Sequence, residues 1–331
     1  MKLHSSKALQ GRRGRAAWSA TIAIMTFGAV AGGFALLPLL GAGASAQTAP
    51  AATTPEPAAE KVPVNVSITP KRLTFSRGER SASVYIFNQG RTPATYDISM
   101  IDSVMLPNGD IRPFEEAQAA ADLKPIAEKL QSAKSMVLVA PRRATLAPGK
   151  GQTVRIRVTL PAGSTGAEYR SHLLVRTVPS RNVGVTAEDA AAQGSNQLSF
   201  RITPVFGLSI PVIVRSGTTD VRGDIRNPRL TYADISPDGV APARRTPVLA
   251  FDVGRSGANS LFGNIEVHSK SGGKTPVGMI RGVGLYTEID HRSIQIPLQR
   301  APAPGEQLDI SFVDDDITPG RVVARSSFTA P

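Results

Sequence analysis

The sequence predicts an all-β protein, built as two antiparallel sandwiches in tandem behind an export signal. Three observations lead there. Short alternating apolar runs recur along residues 64–328, divided by Pro, Gly and Asn turns. A basic, then apolar, then small-residue segment stands at the start, and the chain has no cysteine. An exported chain without disulfides depends on its cores, and the 285 residues left after the signal suffice for two of them.

Residues 1–46 read as the signal. Lys2, Lys7, Arg12, Arg13 and Arg15 precede an apolar stretch from about Trp18 to Leu40, and Ala44-Ser45-Ala46 forms a small-x-small site, so cleavage is expected after Ala46. The stretch is also long enough to span a bilayer, so an uncleaved anchor is the alternative. Arg12-Arg13 matches a twin-arginine signal only in the pair itself. Without this segment the formal net charge falls from +12 to +7. The remaining arginines are scattered, with no basic block and no interleaved aromatics, which argues against a nucleic-acid partner.

Residues 47–61 are rich in Ala, Pro and Thr and read as a disordered lead-in. The first domain is expected over 62–216. Val64, Val66 and Ile68 alternate, and Leu73 and Phe75 follow Pro70. Ser83–Phe87 ends in the turn Asn88-Gln89-Gly90, and Thr95–Met100 is a further strand. Residues 107–135 carry Ala- and Glu-rich stretches that predict one or two helical turns. After the turn Leu146–Gly149, Thr153–Leu160 puts Val154, Ile156, Val158 and Leu160 on one face and Arg155 and Arg157 on the other; His172–Val178 is again strand-like. Residues 180–197 are polar and small and read as a flexible loop, of a length that is either functional or disordered.

The next run is the most informative. Leu198, Phe200, Ile202, Pro204, Phe206, Leu208, Ile210, Val212 and Val214 share one parity, making an apolar row of about 17 residues at roughly 3.3 Å each. Either a second sheet of this chain or another protein must cover it. Pro204 and Pro211 lack the N–H of a fully paired central strand, which points to an accessible edge or a change of partner. Ser216–Asp220 reads as the linker to a second domain over 217–331. Its expected strands are Pro247–Val253, Asn264–His268, Val277–Thr287, Ser293–Leu298, Leu308–Val313 and Arg321–Phe328, with turns at Arg255–Asn259 and Ser271–Lys274.

No catalytic set is visible. His172, His268 and His291 lack metal-ligand spacing, and Asp314-Asp315-Asp316 reads as a solvated loop rather than a calcium site. There is no phosphate loop or nucleophile elbow. The chain reads as a non-enzyme with no cofactor, no metal and no small-molecule substrate.

The order PKRLTF, SVYIFNQGRTPATY, PRRATLAPGKGQTVRIRV, EYRSHLLVRTVP, PVIVR resembles the first domain of PapD-like periplasmic pilus chaperones, a family of immunoglobulin-like sandwiches. It covers Val62 to Arg215, with insertions at 107–135 and 180–197. VLAFDVGRSGANSLFGNIEV, GVGLYTEIDHRSIQIPL and GRVVARSSFTAP resemble the second domain more loosely. The resemblance implies a periplasmic chaperone that lends a strand to a pilus or surface-fibre subunit and delivers it to an outer-membrane usher. Carried over, the donor row is Leu198, Phe200, Ile202 and Phe206. Arg72 matches the arginine of a basic pair that grips the subunit's terminal carboxylate. The lysine of that pair falls on Pro211 and does not match. Glu168 and Arg215 correspond to an ion pair between the domains, valued at about 0–1 kcal/mol if exposed. Asn88 is assigned to its turn. The alternative is a non-enzymatic envelope protein that keeps this fold without handling subunits; Pro211, the prolines of the donor row and the insertion favour it.

Overall fold

The computed structural model describes residues 66–76, 78–164, 168–179, 205–273 and 275–331. They belong to one compact unit, Lys61–Pro331, with two large hydrophobic cores and a small third cluster around Val104, Ala117 and Ala127.

Around the first core, β1 (Val66–Thr69), β2 (Leu73–Phe75), β3 (Ser81–Asn88) and β4 (Ala94–Ile101) come first in the chain. An inserted segment follows: β5 (Ser103–Met105), β6 (Ile111–Pro113), α1 (Phe114–Ala119), α2 (Lys124–Ala127) and a 3-10 turn at Lys134–Met136. The chain then returns through β7 (Val137–Ala140), β8 (Arg143–Leu146), β9 (Gly151–Val158), β10 (Glu168–Val178) and β11 (Gly207–Arg215). Among the described residues, a sheet of order β1-β3-β9-β7 packs on one of order β2-β11-β10-β4-β8. Pro70 stands where the chain leaves the first sheet for the second, a position that needs no ladder N–H. Val154, Ile156 and Val158 are buried while Arg155 and Arg157 are exposed, as the alternation of β9 predicts. The helical turns expected in 107–135 are present, and a hairpin of β5 and β6 precedes them.

The second core lies between β12 (Gly223–Ile235), β13 (Arg244–Arg255) and β16 (His291–Pro297) on one side and β15 (Gly278–Leu285), β14 (Leu261–Ser269), β17 (Gln307–Asp314) and β18 (Val322–Thr329) on the other. Leu249, Phe251, Ile294 and Ile296 meet Ile265, Val267, Ile310 and Phe312 there. The thirteen-residue β12 has no counterpart among the strands expected from sequence. Only Ile225 along it is buried, and Asn227, at φ 54°, sits in a bulge, so no apolar period marks it.

The long apolar run is not one uninterrupted strand. Its ladder begins at Gly207, and Val205 and Phe206 lie outside regular structure. Leu198, Phe200 and Ile202 fall outside the described residues. Ile213 lies on the opposite parity to the apolar row. It is fully buried, and it packs into the second core while Ile210, Val212 and Val214 fill the first. One strand therefore contributes to both cores.

Candidate functional site

Two features converge on β11. The first is its edge. β11 pairs antiparallel with β10 along its whole length, from Gly207 opposite Arg176 to Arg215 opposite Glu168. On the other side β2 pairs with it in parallel, and only over Val212–Val214. Among the described residues no strand covers that side of Gly207–Pro211. Pro211 lies just before the β2 pairing begins, so the missing N–H falls next to an unpaired edge. Phe206 is held at the start of this edge. Its carbonyl accepts from the Thr177 N–H at 2.8 Å, and its own N–H donates to Thr177 Oγ1 at 3.0 Å. Its side chain is half-buried.

The second feature is a charge cluster at the C-terminal end of β11. Arg215 Nε donates to Glu168 Oε2 at 2.9 Å, and Arg215 Nη2 to Asp316 Oδ2 at 2.7 Å. Glu168 and Arg215 are neighbours within one sheet, and both side chains are almost fully buried, at 1% and 2% exposure. The value for an exposed pair therefore does not apply. Breaking a buried pair on one side leaves an uncompensated charge, worth about 3–5 kcal/mol. The two residues reach the second sandwich through third parties: Glu168 Oε2 accepts from the Ser260 N–H at 3.2 Å, and Arg215 holds Asp316. Burial alone would lower the Arg215 pKa, but Glu168 and Asp316 outweigh it and raise it.

The reading of Asp314–Asp316 as a solvated loop is corrected here. Asp314 is buried, and Asp316 points inward between two guanidinium groups. Burial pushes the Asp316 carboxyl up, but Arg72 and Arg215 together hold it below its ordinary value. Arg72 Nη2 reaches the same Oδ2 at 3.0 Å, its Nε donates to Thr74 Oγ1 at 3.3 Å, and its guanidinium lies over the Phe262 ring at 4.4 Å from the centroid. Arg72 Nη1 is buried without an acceptor among the described residues.

A separate buried contact ties the sandwiches through the insertion. Arg170, on β10, pairs with Glu288 in the β15–β16 turn, donates through Nη2 to the Ser103 carbonyl at 2.8 Å and lies 4.1 Å from the Tyr286 ring centroid. Glu288 also accepts the Met105 N–H at 2.7 Å, and the Met105 side chain belongs to the second core. The Pro107 carbonyl accepts from the Ser293 N–H at 2.8 Å, and Lys129 pairs with Asp290 at 3.3 Å. Gly109, at φ +93°, lies flat on the Arg292 guanidinium; a Cβ there would sit 2.4 Å from Nη2. His172 sits beside Arg170 and edge-on to Tyr286, and its pKa is pushed down to about 3, first by burial and then by the Arg170 charge.

Sequence reasoning singled out Arg72, Glu168 and Arg215, which the structure gathers around Asp316. It passed over Arg170, Glu288 and Met105, because an isolated charged or apolar residue in a strand or turn carries no spacing signal. Asp316 did have one, an acidic triplet, and Ile213 had another, an apolar residue on the parity opposite the apolar row. The described residues contain no group of three His, Cys, Asp or Glu able to hold a metal ion.

No protein-family model matches the sequence, and neither does any curated protein. Among solved structures the chain is similar to the CupB2 chaperone of Pseudomonas aeruginosa, with 12% identity, a TM-score of 0.37, and 80% of this chain and 98% of that one covered. It is also similar to the SafB chaperone in complex with the SafA pilin of Salmonella enterica, at 13% identity, TM-score 0.36, and 80% and 95% coverage. The CsuC–CsuE chaperone–tip adhesion subunit complex of Acinetobacter baumannii gives 12% identity, TM-score 0.36, and 80% and 97% coverage.

Proposed function

We propose that the chain is a periplasmic chaperone that holds pilus or surface-fibre subunits by strand donation and passes them to an outer-membrane usher. The observation that carries this reading is the side of Gly207–Pro211 that no strand covers among the described residues, which continues a run whose even positions, from Leu198 to Phe206, are almost all apolar. β-Augmentation needs both parts: a free ladder edge for main-chain hydrogen bonds and an alternating row to fill a partner's pockets. It also protects a subunit that lacks a strand from edge-to-edge aggregation. The motif order of Val62–Arg215 supports the same reading, as does the basic, apolar and small-residue leader for export. Leu198, Phe200, Ile202 and Phe206 are the proposed donor side chains.

A second reading, an envelope interaction protein that does not handle subunits, is favoured by one observation. Arg72, the residue expected to grip a subunit, is already engaged by Asp316.

Both readings meet one experiment: pull-down of the tagged mature protein from periplasm, with mass spectrometry of what co-elutes. Strand donation expects a small secreted subunit at near one-to-one, lost in a folded Phe200→Glu variant because the charge becomes buried only in the complex. Retention of the same subunit by folded Phe200→Glu, or elution of the wild type alone in the presence of co-expressed candidate subunits, would overturn it.

A further inference from the structure

Arg72 does not present an open cationic site. Its Nη2 is taken by Asp316 Oδ2 at 3.0 Å, its Nε faces Thr74 Oγ1 at 3.3 Å, its flat face is covered by Phe262, and Nη1, though without an acceptor among the described residues, is buried out of reach of solvent. The side chain keeps 11% of its surface. The cluster is also balanced in charge, since Arg72 and Arg215 face Glu168 and Asp316. A balanced cluster exerts no net pull on an incoming anion, and a second carboxylate at Arg72 would meet the Asp316 charge directly. Pro211, on β11 opposite His172 of β10, supplies no second cation in its place.

We infer that Asp316 is the resident carboxylate of Arg72, and that this chain takes its partner strand without reading a free terminal carboxylate. The inference rests on the strand-donation reading for what the partner is, but the occupancy of Arg72 can be tested without any partner. Asp316 thereby replaces an intermolecular anchor with an intramolecular one. The same carboxylate oxygen that satisfies Arg72 also binds Arg215, so the group that blocks the anchor holds the second sandwich against β11. Recognition is left to the ladder edge and the apolar row, which read strand pattern and not the end of a chain.

The test follows the Arg72 side-chain Nε–H signal by NMR in arginine-labelled mature protein, assigned with Arg72→Lys. The probes are N-acetyl-Leu-Phe with a free carboxylate and the same dipeptide as its amide, at millimolar concentration. The wild-type signal is expected to ignore both. In Asp316→Asn the free acid should shift it and bind roughly tenfold more tightly than the amide, the difference made by one charge-assisted hydrogen bond. A wild-type Arg72 signal that moves with the acid and not with the amide overturns the inference, and that arm does not depend on any variant folding. A folded Asp316→Asn protein indifferent to the acid also overturns it, since Arg72 would then be no carboxylate site to block. Failure of strand donation shows elsewhere, in the Phe200→Glu pull-down, and leaves these signals unaffected.

Discussion

Glu288→Gln is the most exacting test of how the two sandwiches are joined. The substitution keeps the shape of the side chain and an oxygen able to accept the Met105 N–H and the Arg170 Nη2, so packing is conserved. What it removes is charge. The side chains of Arg170 and Glu288 are 1% and 0% exposed, and Arg170 Nε is buried without an acceptor among the described residues. The guanidinium therefore depends on Glu288 for compensation. Leaving a buried charge unpaired costs about 3–5 kcal/mol; the retained amide oxygen places the expected loss near the lower end, about 3 kcal/mol. That is a large share of a stability of about 5–15 kcal/mol. Urea denaturation of the mature protein at neutral pH measures it. Arg170→Met alone should lose a similar amount, now with the carboxylate stranded. The double variant should recover part of that loss, because removing both partners removes the stranded charge while the Ser103 carbonyl still loses its donor. Because the pair joins β10 to the second sandwich, the single variants should also separate unfolding into two transitions. A Glu288→Gln protein within about 1 kcal/mol of wild type, with one unchanged transition, would refute the argument.

His172 gives the chain an acid sensitivity of known sign. Its folded pKa of about 3 lies below the unfolded value of about 6.5, so the stability it allows is complete above that value and is lost as pH falls toward 3. From pH 7 to pH 5 this group alone should remove about 2 kcal/mol, and His172→Gln should flatten that slope in urea titrations at the two pH values. Asn88 is fully buried and donates from Nδ2 to the Thr92 and Leu146 carbonyls at 2.9 and 3.0 Å while accepting the Gly90 N–H at 2.9 Å. Asn88→Ala should lose about 2–3 kcal/mol by thermal or urea unfolding, since it strands those groups; a loss below 1 kcal/mol would mean that water replaces the amide. In the second core, Phe312→Ala should lose about 3–5 kcal/mol, a value that a well-collapsing site would reduce.

What was legible in the sequence followed what repeats. β9 declared itself because Val154, Ile156 and Val158 alternate with two arginines, and burial follows that alternation residue by residue. The helical turns of 107–135 were visible in composition, but their purpose was not. Met105, Pro107, Gly109 and Lys129 meet the second sandwich one by one, through a backbone bond, a flat glycine contact or a single ion pair, and none of those interactions imposes a period on the sequence. β12 was lost for the opposite reason: a strand with a single buried residue and a bulge at Asn227 needs no apolar alternation to pair with β13.

The candidate site shows the same division in sharper form. Arg72, Glu168 and Arg215 could be named because each sits in a recognisable stretch of strand, yet their chemistry depends on Asp316, about a hundred residues beyond Arg215. A charge cannot be read as an anchor until its partners are known. In isolation Arg72 is a cation able to grip an anion; with Asp316 at 3.0 Å and Phe262 beneath it, it is part of a junction between two cores. The edge of β11 differs, because its capacity to pair is a property of the backbone that no distant side chain cancels. Under the strand-donation proposal, partner recognition should therefore respond to substitutions along the Leu198–Phe206 row far more than to substitutions at Arg72. Arg72→Ala should in turn appear chiefly as a loss of coupling between the sandwiches. A pull-down in which Arg72→Ala loses the subunit while urea unfolding stays unchanged would reverse that order.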